Sequence, residues 1–328
     1  MKLIIFLAIF SFTLAAPHDH EWSKFKATYN KVYSNAEEEA ERYQVFIENL
    51  EKINKHNEEA RKGLHRYTLG VNKFADLSAE EFNQIAKCSG GGSVRKNLRN
   101  SIEIPKRSVN VSALPTSIDW RTKGIVSSVK DQGHCASCYA FSTVAAVEGA
   151  IAQSTGQLVE LSAQNLVDCS ASYGNQGCQD GYNEYSYDYI IANGGLDTED
   201  SYPYVGKDQR CQFNPSTVGG KIEKYATLPD DQEEILQEQV SMRVVSVGID
   251  AQNFQLYHDG IYDTDCQSPF LIDYGFAMVG YGTENGTDYW IVKNSWGQEW
   301  GEQGYIRMLR GVNLCGLAAA STYPIIQG

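Results

Sequence analysis

Basic residues are in short supply. Lys and Arg total 28 against 41 Asp and Glu, a formal charge of −13, which argues against a nucleic-acid or anionic-membrane partner, since both favour basic surfaces. No segment reaches the roughly 20 apolar residues that a bilayer-spanning helix needs. The run from Leu3 to Leu14 falls short of that length. It follows Lys2 and ends at Ala15-Ala16, the plan of a secretory signal peptide over residues 1–16 rather than a membrane anchor. Histidine is scarce: six in all, with only His134 and His258 beyond residue 113.

What is present suits a globular chain. Hydrophobic residues make up 42% and aromatics 11%, enough for sizeable cores and unlike a collagen or a disordered chain. A length of 328 residues suggests two or three folding units. Eight cysteines on a secretory route are expected as disulfides, and eight allow about 105 connectivities, so pairing cannot be read from the chain alone.

Residues from about Glu21 to Arg61 are highly charged and helical in pattern. Glu38, Arg42, Phe46, Asn49, Ile53 and Asn57 recur at three- and four-residue steps, which sets them along one helix face. Gly70-Val71-Asn72-Lys73-Phe74-Ala75-Asp76 follows, then Ser78-Ala79-Glu80-Glu81, which reads as a capped helix start. From Ser89 to Ser108, Gly90-Gly91-Gly92, five basic residues and no aromatic make an exposed, flexible, cleavable linker. A helix is expected from near Ser137 through Tyr139, Phe141, Val144, Val147 and Ile151, ending at Gly156. From about Lys221 onward short β-rich runs dominate, such as Val244-Val245-Ser246-Val247 and Tyr289-Trp290-Ile291-Val292. The expected architecture is a helical lobe followed by a sheet-based lobe.

Several ordered blocks resemble the papain family of cysteine peptidases, and within it the cathepsin L group. Asp131-Gln132-Gly133-His134-Cys135-Ala136-Ser137-Cys138-Tyr139-Ala140-Phe141-Ser142 is similar to the nucleophile signature, and Asn294-Ser295-Trp296-Gly297 to the block carrying the catalytic asparagine. The Glu38-to-Asn57 face and the Gly70-to-Asp76 stretch resemble the two propeptide motifs. Gly177-Cys178, Asn193 to Asp197, Ser201-Tyr202-Pro203-Tyr204, Gly280-Tyr281-Gly282 and Tyr323-Pro324 fit the same family. The competing reading of Cys135 to Cys138 as a zinc or redox motif fails for zinc because no second ligand pair stands at similar spacing.

The resemblance implies an α+β, papain-like two-lobed fold. A signal peptide (1–16) precedes a helical inhibitory propeptide and linker (17–113), then a peptidase domain (114–328) with a helical lobe at about 124–220 and a β lobe at about 221–328. It implies disulfides Cys135–Cys178, Cys169–Cys211 and Cys266–Cys315, leaving Cys138 as the free nucleophile and Cys88 unpaired. Gln132 and the Cys138 N–H would receive the oxyanion. The Gly181 backbone would pair with substrate, and the second specificity pocket would be lined by Tyr182, Asn183, Gly248, Ile272, Gly275 and Ala320. Ala136 stands for a usual glycine, Tyr139 for a tryptophan, and Gln179-Asp180-Gly181 for Asn-Gly-Gly. Ala136 and Asp180 would face each other across the first specificity pocket. No metal or cofactor is called for. Expected partners are peptide or protein substrates, cystatin-like inhibitors and the chain's own propeptide, with a monomer that is secreted or lysosomal. Asn110-Val-Ser112 and Asn285-Gly-Thr287 are glycosylation sequons.

One departure bears on the chemistry. Aligned between Tyr257-His258-Asp259-Gly260-Ile261-Tyr262 and Gly280-Tyr281-Gly282, the histidine position of the family holds Tyr274. A phenol with an ordinary pKa near 10 cannot form the imidazolium that pairs with a thiolate. The resemblance therefore implies lost or strongly reduced turnover; the alternative is an active or weakly active endopeptidase, with His134 as a rescuing base. His258 reads as a surface residue.

Overall fold

The computed structural model describes residues 18–86, 88, 100–264, 266 and 272–326; the signal-peptide reading and the Gly90-Gly91-Gly92 run lie outside them. The charged N-terminal stretch forms two helices rather than one, α1 (Asp19–Thr28) and α2 (Ala36–Arg61). Between them Asn30 takes a left-handed φ of 50°, and the Asn35 side chain accepts from the N–H groups of Glu37 and Glu38, a new N-cap. The expected face of α2 is the one that packs. Phe46, Asn49 and Ile53 are buried, the Asn49 amide donates to the carbonyls of Ala75 and Leu77 at 2.9 Å each, and Asn57 exchanges hydrogen bonds with the Leu69 backbone.

Strand β1 (Tyr67–Leu69) leads to α3 (Ala79–Ala86). Ser78 Oγ accepts from Glu81 N while Glu81 Oε2 accepts from Ser78 N, a reciprocal capping box. The second half of the expected linker departs from the flexible reading. β2 (Ser101–Glu103) pairs in parallel with β6 (Lys224–Thr227), Asn100 donates to Asp188, and Arg107 pairs with Glu238. Backbone hydrogen bonding to a strand edge overrides the local composition here.

After β3 (Ile118–Asp119) comes α4 (Cys138–Thr155), whose residues are buried on nearly every side. It stops at Gly156, where φ is 74° and the N–H returns to the Ala152 carbonyl, a left-handed cap suited to glycine. Helices α5 (Ala163–Cys169) and α6 (Asn183–Asn193) pack on α4 around Val144, Val147, Ile151, Leu166, Tyr187 and Ile190. A small pair, β4 (Leu196–Asp197) and β5 (Val218–Gly220), closes this helical half.

The second half is built on β6, α7 (Glu233–Val240), β7 (Val245–Ile249), β8 (Tyr257–Tyr262), β9 (Tyr274–Glu284), β10 (Thr287–Lys293), β11 (Tyr305–Leu309) and β12 (Ala320–Ile325). The sheet runs β1-β8-β11-β10-β9-β7-β12-β6-β2, with β3 added onto β9. Its pairs are antiparallel apart from β8–β11 and β2–β6. Both end strands, β1 and β2, come from the segment ahead of residue 114. That segment also shares its core with the sheet half: Phe74 and Phe82 meet Trp296 edge-on at 5.7 and 5.2 Å. The expected α+β order, helices then sheet, is borne out.

Candidate active site

The Cys138 side chain sits in the first turn of α4, where helix N–H groups favour negative charge. The nearest strand, β9, begins opposite it. Gly275 N donates to Cys138 Sγ at 3.0 Å. The Cys88 sulfur of the N-terminal segment lies against the Cys138 sulfur. The reason is steric proximity created by tertiary docking, since Cys88 N donates to the Asp273 carbonyl at 3.0 Å and hangs that residue over the helix end. The three expected bridges, Cys135–Cys178, Cys169–Cys211 and Cys266–Cys315, are all present.

The two donors expected from the sequence to receive the oxyanion converge on the Cys88 sulfur. Cys138 N donates to Cys88 Sγ at 2.8 Å, and Gln132 Nε2 points to it at 3.8 Å. Gln132 is held from three sides. Its backbone N–H donates to the Ser295 carbonyl at 2.9 Å, its Nε2 also donates to the Cys135 carbonyl, and its Oε1 accepts from Ser295 Oγ at 2.8 Å and from the Tyr274 hydroxyl.

Tyr274 is 2% exposed and wedged between Phe276 and Trp296, at 4.7 and 5.0 Å between ring centroids. Burial holds its phenol well above the ordinary value for tyrosine. Its hydroxyl turns to Gln132 and, at 3.1 Å, to Ser295 Oγ, not to Asn294 or Cys138. The ring fills the space between the Trp296 indole and the Gln132 loop, so its polar end lands on Gln132. Asn294 is buried; its Oδ1 accepts from Ser295 N at 2.7 Å, and its Nδ2 has no hydrogen-bond partner among the described residues. His134 is exposed and, among the described residues, makes no hydrogen bond to Cys138. His258 is exposed as expected, and it packs against Gly70, where an added Cβ would meet its ring at 2.9 Å.

Gly181, Tyr182, Asn183, Gly248, Ile272, Gly275 and Ala320 line one pocket together with Cys88, Cys138 and Tyr274. Two of its glycines leave space no other residue allows: a Cβ on Gly181 would lie 2.7 Å from the Tyr139 ring, and one on Gly248 2.5 Å from Ile272. Asp180 is partly buried and accepts from Gly181 N at 2.6 Å; loss of water raises its carboxyl pKa. Ala136 N donates to the Cys178 carbonyl on the same loop system. Sequence reasoning missed Ser295 and Cys88. Ser295 lay inside the quoted asparagine block, but nothing local signals that its hydroxyl grips Gln132. The described residues hold no cluster of side chains that could bind a metal, and no helix among them is long and apolar enough to cross a membrane.

Residues 114–325 match the papain family cysteine protease, and residues 22–82 match the cathepsin propeptide inhibitor domain (I29). A cathepsin L-like peptidase of Aedes aegypti is 44% identical, covering 99% of this chain and all of that protein. Cathepsin L of Sarcophaga peregrina is 45% identical over 99% of each. Among solved structures, digestive procathepsin L 3 of the Tenebrio molitor larval midgut superposes with a TM-score of 0.85 at 40% identity, over 95% of this chain and 100% of that one. With Cys138 at a helix N-terminus, a pocket beside it and the N-terminal segment lying across both, the chain belongs to the papain family of cysteine peptidases, in the cathepsin L-like group of endopeptidases with an N-terminal propeptide inhibitor domain.

Proposed function

We propose that this chain is a secreted or lysosomal, monomeric cathepsin L-like zymogen whose mature cleft binds peptides and cystatin-like inhibitors but hydrolyses peptides slowly, because Tyr274 occupies the position of the catalytic histidine. The proposed cleavage architecture keeps residues 1–16 as signal peptide, 17–113 as propeptide and linker, and 114–328 as the peptidase domain. The supporting observation is the buried Tyr274 hydroxyl, committed to Gln132 Oε1 and Ser295 Oγ, beside an Asn294 amide that has no imidazole to orient. Without that imidazole no side-chain base takes the proton of the Cys138 thiol and no acid protonates the departing amine. Losing a triad member in serine proteases leaves about 10³–10⁴-fold catalysis over water, from the oxyanion hole and binding. The expected loss here is about 10⁴-fold, equivalent to about 5–6 kcal/mol of barrier.

Peptide binding survives in this reading because the pocket is intact and apolar where Gly248, Ile272 and Ala320 meet. The test is to process the chain in trans, reduce it, and assay a Phe-Arg fluorogenic peptide with the wild type and Tyr274→His. Gain of turnover by about 10³-fold or more in the variant is expected. Wild-type turnover equal to that of ordinary family members refutes the proposal and favours the competing reading, an active endopeptidase, to which the digestive proteinases of Homarus americanus at 40% identity lend weight.

A further inference from the structure

We propose that Asp180 inverts the hydrogen-bonding polarity of one wall of the cleft: its carboxylate caps the Gly181 N–H, so this wall offers an anionic acceptor and selects ligands that bring a donor or a cation over ligands that bring a main-chain carbonyl. The inference rests on the reading of the cleft as a peptide site, and it states which peptides that site prefers.

The cap is local and lies at the pocket. Asp180 Oδ1 accepts from Gly181 N at 2.6 Å, and Gly181 lines the pocket shared with Cys138 and Tyr182. A peptide lying extended along a groove gains affinity from main-chain hydrogen bonds, and Gly181 is the residue expected to supply them here. Its main chain sits close on the Tyr139 ring, where even a Cβ would lie 2.7 Å away, so its position is fixed from behind. Neighbouring amides offer no substitute. Gln179 N donates to the Gln176 carbonyl at 3.0 Å, Tyr182 N to Asn175 Oδ1 at 2.8 Å and Ala136 N to the Cys178 carbonyl at 3.1 Å. The Asp180 carbonyl is itself taken by Gln176 N at 2.7 Å. The main-chain groups of this wall are thus engaged within the loop, and the carboxylate is what remains.

Charge gives the cap its selectivity. Asp180 is partly buried; loss of water raises its carboxyl pKa, and the Gly181 N–H works against that rise. Among the described residues it has no ion pair, and its second oxygen accepts no hydrogen bond. The titratable groups that feel its charge are Tyr139 and Tyr182, both phenols that are neutral at working pH, so neither compensates it. A ligand ammonium at this point offsets the burial of the carboxylate. A ligand carbonyl meets like polarity instead, and must displace an ionised acceptor whose hydrogen bond is roughly twice as strong as a neutral one.

Two probes separate the alternatives: acetyl-Phe-Gly-Gly-amide, and the same peptide with the Phe carbonyl reduced to a methylene, which turns the following amide into a secondary amine. Both are titrated calorimetrically into the chain processed in trans at about pH 6, above the ordinary carboxylate range and below that of amines. The amine should bind about tenfold tighter than the parent amide, and added salt should narrow the difference. Asp180→Gly, which bares the N–H, should reverse the order; Asp180→Asn, which can cap without charge, should remove most of the preference. A wild-type preference for the parent amide, or a preference that both variants leave unchanged, overturns the inference and leaves the peptide cleft in place. Binding of neither probe overturns the peptide cleft and this inference with it. The uncut chain gives a check that needs no ligand: in a heteronuclear magnetic resonance spectrum the Gly181 amide proton should lie downfield and move as the Asp180 carboxyl titrates. An amide that ignores that titration overturns the cap.

Discussion

The hydroxyl of Tyr274 donates to the side-chain oxygen of Gln132, and this bond aims the Gln132 amide nitrogen at the position above Cys138. Tyr274 thus supports the side chain of Gln132. It does not contact the thiol as a base.

Tyr274→Phe should accordingly cost stability. The phenol is buried and its loss leaves Gln132 Oε1 with Ser295 Oγ alone. A buried hydrogen bond of this kind contributes about 1 kcal/mol, so the thermal midpoint should fall by a few degrees. Differential scanning calorimetry of the full chain measures the shift; an unchanged midpoint would show that the bond carries no weight.

Alkaline pH should weaken the fold through its buried phenols. Burial pushes Tyr189 and Tyr204 up to about 12, and Tyr204 donates to the Gln132 carbonyl and shares a 2.7 Å bond with Ser137. Below pH 10 both folded and unfolded chains keep these protons. Above it the unfolded phenols ionise first, so stability falls as pH rises from about 10 and the contribution is gone beyond about 12. Urea midpoints across this range, read with tyrosinate absorbance, test the slope.

Lys293→Met should be among the most damaging changes away from the cleft. Lys293 Nζ donates to Ser127 Oγ at 3.0 Å, and Ser127 donates in turn to Glu148 Oε2 at 2.5 Å. Burial drives the two groups toward neutrality, Lys293 down to about 8 and Glu148 upward, and each offsets part of the other's desolvation. Removing the cation strands the carboxylate, at a cost of about 3–5 kcal/mol. Adding Glu148→Gln should recover part of that loss, and a double-mutant cycle in urea measures the coupling. Simple additivity of the two variants would contradict the pairing.

Features set by local physics were legible in the chain. The Glu38-to-Asn57 face, the Ser78 capping box and the Gly156 stop depend on neighbours within a turn or two, and each stands where its pattern placed it. The resemblance extended this reach to three disulfides and to the pocket from Gly181 to Ala320. What escaped was set by docking across long separations. Cys88 lies 50 residues from Cys138, and no periodicity reveals such a contact. The Ser101–Glu103 strand has the composition of a linker and is ordered by the edge of β6. The Tyr274 hydroxyl found Gln132 rather than Asn294 because the Trp296 and Phe276 rings fix the phenol's direction.

The propeptide also finishes the sheet, supplying β1 against β8 at one end and β2 against β6 at the other. Departure of residues 17–113, the proposed propeptide and linker, would uncover two rims of main-chain donors and acceptors at once, the kind of surface on which chains stick to one another. His258 and Asp259 on β8 and Lys224 on β6 are exposed there, and charge on a bare rim discourages such pairing. The proposed maturation would therefore change colloidal character as well as uncover a cleft.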